Sequence, residues 1–227
     1  MHIFKGISQI FFPNICFCCE NVLTNQEKVI CTYCLHNLPV TNYTLTKDTS
    51  VLKVFYGRVA IENATALLFY QKKGIVQNLI HHLKYRNQQK IGTFIGNWLG
   101  AEMKESNQFN EIDYIIPVPL HSKRLKERGY NQVTKFGKQL ADVLEVPYLE
   151  NVLSRKKANK TQTNKGRMDR WNNVIELFYL ENVLLFENKH ILLIDDIITT
   201  GATIEACCNE LNKTKNIKVS IAVMAIS

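Results

Sequence analysis

The sequence predicts an α/β fold, a parallel sheet flanked by helices, with a small cysteine-based module at its N-terminus. Three observations carry this. Ile191-Leu-Leu-Ile194 is an unbroken apolar run and the stretch 218–226 is apolar apart from Lys218 and Ser220, as expected of strands buried on both faces. Stretches 75–85, 91–105 and 202–211 read as helices lying between strands. Five of the seven cysteines fall between positions 16 and 34. The boundaries expected are 1–45 for the N-terminal helix and cysteine module and 46–227 for the main domain, with a polar seam at 106–111.

The totals agree. A chain of 227 residues with 46% hydrophobic content has room for one sizeable domain plus a module. No apolar run reaches the roughly 18 residues that a membrane helix needs. The apolar patch 7–13 is short and lacks a small-residue cleavage site, so no signal peptide is predicted and a cytoplasmic protein is expected.

In chain order, Phe4, Ile7, Ile10 and Phe11 have the spacing of a short amphipathic helix over 3–12. Cys16-Phe-Cys18-Cys19 and Cys31-Thr-Tyr-Cys34 follow, separated by eleven residues. Taking Cys16 with Cys19 gives Cys-x-x-Cys twice, and two such pairs can close a tetrahedral thiolate site of zinc-ribbon type through Cys16, Cys19, Cys31 and Cys34. Cys18 is an alternative ligand in place of Cys16 or Cys19. Two strands are expected within 54–70, the clearer being 66–70, then helices 75–85 and 91–105. His81 and His82 are adjacent and do not share a helix face, so they are read as a surface or pocket rim beside Lys84, Tyr85 and Arg86. Tyr114-Ile-Ile-Pro-Val-Pro119 reads as a strand entering a stiff turn, followed by a basic loop that runs to Gln132. A helix over 131–144 and a strand over 147–153 come next. The stretch 154–173 reads as a basic loop, in which Trp171 is either a packing residue or a stacking platform. Strands over 176–180 and 218–226 complete the reading, and Cys207 and Cys208 are expected to be buried in the helix 202–211.

Charge is unevenly placed. The net charge is +8, and residues 121–170 carry 13 Lys/Arg against 5 Asp/Glu, while the rest of the chain has 15 of each. A local excess of this kind suits a polyanion, either nucleic acid or a diphosphate. The nucleic-acid candidates are Arg155, Lys156, Lys157, Lys160, Lys165, Arg167 and Arg170.

The chemistry concentrates at Asp195-Asp-Ile-Ile-Thr-Thr-Gly-Ala-Thr203. Ligands in open α/β sheets sit beyond the carboxyl ends of strands. Thr199, Thr200, Gly201, Ala202 and Thr203 lead into a helix whose free N–H groups can hold a phosphate. Asp195 and Asp196 can accept hydrogen bonds from vicinal hydroxyls. Phosphate at one end and hydroxyls at the other describe a ribose 5-phosphate. Lys123, Arg124 and Arg128 follow another strand and are placed to meet pyrophosphate oxygens.

This run resembles the phosphoribosyl pyrophosphate (PRPP) motif of type I phosphoribosyltransferases. Together with the double Cys-x-x-Cys, Leu79-Ile-His-His-Leu-Lys-Tyr-Arg86, Ile116-Pro-Val-Pro-Leu120, Arg124-x-x-x-Arg128-Gly-Tyr-Asn-Gln132 and Thr161-Gln162, it makes nearly the whole chain similar to the ComF (ComFC) family of competence-associated proteins. The resemblance implies a type I phosphoribosyltransferase-like sheet and a structural Zn2+ in the N-terminal module. It also implies a pocket in which Asp195 and Asp196 contact ribose and Thr199–Thr203 hold the 5-phosphate. Mg2+ would enter with PRPP, and the loop 155–170 would close over the site. The implied role is DNA uptake in natural transformation, handling internalised single-stranded DNA beside a ComFA-type helicase. An active phosphoribosyltransferase with an unknown acceptor and a PRPP-sensing regulator are the other two readings, because no stretch identifies a nucleobase pocket.

Overall fold

A computed structural model describes residues 13–157 and 176–227. The expected helix over 3–12, and Lys160, Lys165, Arg167, Arg170 and Trp171, lie outside the described residues. The elements in order are α1 (Thr32–His36), α2 (Tyr43–Thr46), α3 (Ser50–Lys53), β1 (Ala64–Phe69), α4 (Ile75–Tyr85), α5 (Lys90–Ser106), β2 (Tyr114–Pro117), α6 (Ser122–Arg128), α7 (Thr134–Leu144), β3 (Leu153–Lys157), β4 (Glu176–Leu180), β5 (His190–Ile198), α8 (Ala202–Leu211) and β6 (Lys218–Ile226).

Four strands form one parallel sheet in the order β1-β6-β5-β2, with Ile194 of β5 facing Ala222 of β6 and Pro117 of β2. The two central strands are buried almost throughout, which explains the apolar runs 191–194 and 221–226 within them. One face packs on α4, α5 and α7 through Leu79, Leu83, Ile95, Leu99 and Phe136. The other packs on α8 through Ile204, Cys207, Cys208 and Leu211, so both of these cysteines are buried as expected. β3 and β4 form a separate antiparallel hairpin. Helices α5 and α7 approach closely because Gly92, Gly96 and Gly100 line their contact; a Cβ on Gly96 would stand 2.8 Å from Gln139 Cβ.

Several local expectations are corrected. Only β1 forms in 54–70. Val51 and Phe55, both buried, are four apart, so α3 and the turn after it present a helical face rather than a strand. The basic stretch 121–132 is not all loop, since α6 occupies Ser122–Arg128. His121 Nδ1 accepts from Lys123 N–H at 3.1 Å to cap it, and Gly129 at φ +77° ends it. All of α6 stays out of the core, so it left no apolar period to read. α7 starts at Thr134, three residues after the expected 131. Within the expected strand 147–153 only Tyr148 bridges to the sheet, at Ile115; β3 begins at Leu153. β5 continues to Ile198, so Asp195 and Asp196 lie inside its end rather than past it.

The cysteine module packs on α4. Cys16, Phe17, Cys18, Leu23, Ile30 and Cys34 are buried in the same cluster as Leu79 and Leu83 of α4. Asn78 Nδ2 donates to the Cys18 carbonyl at 2.8 Å, and His82 Nε2 lies 3.2 Å from Glu20 Oε1. Among the described residues no helix is long and apolar enough to cross a membrane.

Candidate ribose-phosphate site and cysteine cluster

Consecutive strand residues face opposite sides of a sheet, and that separates the two acids. Asp196 points toward α4 and is almost fully buried. Its Oδ1 accepts from Lys84 Nζ at 2.7 Å and its Oδ2 from Gln132 Nε2 at 2.6 Å. Gln132 Oε1 in turn accepts from Arg128 Nη1 at 2.7 Å. The amide orientation follows from its neighbours, since only the NH2 can give to a carboxylate and only the oxygen can take from a guanidinium. The chain Arg128–Gln132–Asp196–Lys84 thus ties the end of α6, the approach to α7, β5 and the end of α4. A carboxylate has about four lone-pair positions, so each Asp196 oxygen keeps room for a further donor.

Asp195 is differently placed. Its Oδ1 accepts the backbone N–H of Asp196 at 2.8 Å. Burial, and then the Asp196 charge beside it, raise its pKa well above the ordinary carboxylate range, only partly offset by that N–H and by Lys84 and Arg155. The Arg155 guanidinium lies 5.6 Å from the Phe178 ring centroid, and its charge favours ionised Asp195. Lys156 and Lys157 are the last two residues of β3.

Thr199 and Thr200 are exposed at the turn, and Gly201 adopts φ +74°. A Cβ there would meet Phe55 Cε1 at 2.8 Å, so both conformation and space call for glycine. Gly201 is the N-cap of α8 and supplies no side-chain cap; the Ala202 N–H gives a long bond to Thr200 Oγ1 at 3.4 Å, and the N–H groups of Thr203 and Ile204 are left for a ligand or water. Ala202 and Thr203 open that turn, at the carboxyl end of β5 as expected. Arg58, which sequence reasoning missed, braces it from 142 positions away. Its Nη1 donates to the Thr200 carbonyl at 2.9 Å and to Val54 O at 3.0 Å, and its Nη2 pairs with Glu205. Arg58 sits in a turn that carried no motif, so no local signal marked it.

Arg124 and Arg128 line a cleft of about 460 Å3 with Lys84 and Tyr85. Lys123 is not among its lining residues and lies 4.0 Å from Glu127 on its own helix. The structure thus joins Arg128 to Asp196 through Gln132, while Lys123 stays outside that network. Lys84, read from sequence as rim, makes a direct contact to the acidic pair. A separate groove of about 670 Å3 between Thr93 and Tyr148 contains none of these residues.

The Sγ atoms of Cys16, Cys19, Cys31 and Cys34 all lie within 4.8 Å of one another, a set that could hold a metal ion; Cys18 is outside it. Cys19 and Cys31 Sγ are 3.8 Å apart. Cys16 Sγ accepts the Cys31 N–H at 3.3 Å, and Cys31 Sγ accepts the Cys34 N–H at 3.4 Å. Burial raises the Cys16 thiol, but the N–H groups of Cys19, Cys31 and Cys18 outweigh it and bring it down to about 7. Cys18 is instead pushed up to about 12 by burial and by the neighbouring cysteines, which suits a packing role.

Residues 134–225 match the phosphoribosyl transferase domain family. The chain is 33% identical over 139 residues to competence protein F of Haemophilus influenzae, covering 60% of this chain and 59% of that one. It is 34% identical over 129 residues to competence protein ComFC of Streptococcus pneumoniae (57% and 53%), and 30% identical over 129 residues to DNA utilization protein YhgH of Salmonella typhimurium (56% of each). The chain thus spans a little over half the length of these relatives. Its fold is type I phosphoribosyltransferase-like, with an N-terminal four-cysteine cluster, and its named relatives are competence proteins F and ComFC.

Proposed function

We propose that this chain is a DNA-uptake protein that handles internalised single-stranded DNA in the cytoplasm and carries a PRPP-type ribose-phosphate pocket. The single observation that carries the pocket is the Asp195–Thr203 run at the carboxyl end of β5, with Asp196 held by Lys84 and Gln132. The names of the relatives, competence protein F, ComFC and DNA utilization protein, support the cellular role, and a ComFA-type helicase as partner follows from the sequence resemblance alone.

In this reading the Thr199–Thr203 turn takes the 5-phosphate on its N–H and hydroxyl groups. Asp195 and Asp196 accept from the ribose hydroxyls. Arg124, Arg128 and Lys123 face the pyrophosphate, and Mg2+ arrives with the ligand, neutralising part of its charge. The strand runs over the basic segment, with Arg155, Lys156, Lys157, Lys160, Lys165, Arg167 and Arg170 giving phosphate contacts. Cys16, Cys19, Cys31 and Cys34 hold a structural zinc. Four thiolates about 2.3 Å from a tetrahedral ion stand about 3.8 Å from one another. The Cys19–Cys31 separation of 3.8 Å matches that spacing.

A second reading keeps the pocket and adds chemistry: transfer of the ribose phosphate to an acceptor, with the Asp pair stabilising cationic character at the anomeric carbon. Binding without transfer, as a PRPP sensor, is the third. Calorimetric titration of PRPP with Mg2+ into wild type and an Asp195→Asn/Asp196→Asn variant tests the pocket. Heat in the wild type alone supports it, and no heat in either removes it. Single-stranded DNA titrated across salt concentrations tests the uptake role. Affinity that falls steeply with salt is the expected result.

A further inference from the structure

We propose that the cleft between the end of α4 and helix α6 seats one unpaired nucleotide of a nucleic-acid strand, with phosphates on its arginines and a base against Tyr85. The inference rests on the strand-handling reading above but places the contact outside the stretch 154–173, and it gives Arg124 to a strand phosphate in place of pyrophosphate. The cleft, about 460 Å3, falls within the usual range for a small-ligand pocket. Four cations, Lys84, Arg86, Arg124 and Arg128, line it against one carboxylate, Glu127.

These cations divide into two pairs. Lys84 is bound to Asp196 and Arg128 to Gln132, so they form a fixed floor. Arg86 and Arg124 are exposed and make no ion pair among the described residues. They are the groups able to take phosphate oxygens without breaking an internal contact. Tyr85 remains 63% exposed, yet its ring is held: the Arg128 guanidinium carbon lies 5.1 Å from its centroid and the His81 ring 5.0 Å away. The Tyr130 hydroxyl donates to the Leu83 carbonyl and fixes the far wall. A preorganised aromatic set among guanidinium groups suits an unpaired base stacked beside its phosphates. A duplex keeps its bases inside and leaves the ring unused, and a simple polyphosphate has no aromatic face to offer.

The test is fluorescence anisotropy of a labelled oligothymidylate with the full chain over a salt series, beside a duplex of equal length. Tyr85→Ala is expected to weaken oligothymidylate binding about tenfold, while Tyr85→Phe binds as the wild type does. Arg86→Ser and Arg124→Ser should each reduce the salt slope by about 0.7, one phosphate contact apiece. The duplex should bind more weakly and ignore Tyr85→Ala. If the wild type binds but all three truncations bind equally well, the cleft assignment falls and strand handling stands. Equal losses in Tyr85→Ala and Tyr85→Phe, or equal responses of strand and duplex, also overturn it. A wild type that does not bind the oligonucleotide overturns both.

Discussion

Lys84 Nζ donates to Asp196 Oδ1 at 2.7 Å across 112 positions of sequence, and this contact makes the two adjacent acids unlike. Asp196 is a paired buried charge. Asp195 is a carboxyl held beside that charge, with its pKa raised chiefly by burial so that the fold favours its protonated form. Neutralising them should therefore move stability in opposite directions. Asp195→Asn is expected to stabilise by about 1 kcal/mol, raising Tm by about 2–4 °C, because it removes an ionisation that the fold opposes. Asp196→Asn should cost about 2 kcal/mol, since Lys84 loses its counter-charge. The pH dependence follows. Between the free and folded values of Asp195 the native state holds a proton that the unfolded chain has lost, so stability falls as pH rises above the ordinary carboxylate value. Thermal melts over a pH series should show this decline flattened in Asp195→Asn. Equal destabilisation by both variants would contradict it.

The sequence made this environment only half legible. Ile191-Leu-Leu-Ile194 announced a buried strand, and the Thr-Gly turn after it announced a helix start, because both depend on short-range patterns. The strand continuing to Ile198 was hidden by polar Asp195 and Asp196, which read as the strand's end. Lys84 and Gln132 appeared within motifs, but their meeting at Asp196 is a tertiary contact that no period encodes. Arg58 gave no sign at all. Helix α6 was missed because it buries nothing, and a helix without an apolar stripe looks like a loop.

The cysteine cluster predicts how metal removal is felt. The module shares its buried cluster with α4, and α4 carries Lys84 to Asp196. A strong chelator should thus lower Tm in one transition for the whole chain and weaken PRPP binding with it, rather than release a separate domain. Metal analysis should give about one zinc per chain, lost in Cys31→Ser/Cys34→Ser. Cys18→Ser should keep the zinc while costing stability through its buried position. Loss of zinc in Cys18→Ser, or retention in the double variant, would reverse the ligand assignment.

Glu27 gives the module its acid response. Its Oε2 accepts from Thr24 N–H at 2.8 Å and its Oε1 from Thr32 N–H at 2.6 Å, at the first residue of α1. The Thr24 and Thr32 N–H groups hold its pKa down to about 2. A lowered carboxylate contributes stability above its free value and loses it as pH falls toward the folded one. The contribution should thus disappear between about 4.3 and 2. Glu27→Gln should shift acid-induced metal release to higher pH, followed with a colorimetric zinc indicator. An unchanged midpoint would mean the cap does not support Cys34.

Arg58 and Glu205 set the charge at the phosphate turn. Glu205 stands in the first turn of α8, where a free carboxylate competes with a bound phosphate for the same N–H groups and field. Arg58 pairs with it and also holds the Thr200 carbonyl, so the turn offers its amides with the acid neutralised. The pair is partly exposed, so its worth to stability is small, about 0–1 kcal/mol, and its effect should be read in binding. Arg58→Met should weaken ribose 5-phosphate binding about tenfold, by freeing Glu205 against the phosphate. Glu205→Gln should leave binding equal or tighter. The double variant should recover most of the Arg58→Met loss, the non-additivity expected of a coupled pair. If the double variant is as weak as Arg58→Met, the arginine acts only by bracing Thr200; if neither single variant changes affinity, the turn does not depend on this pair to hold a phosphate.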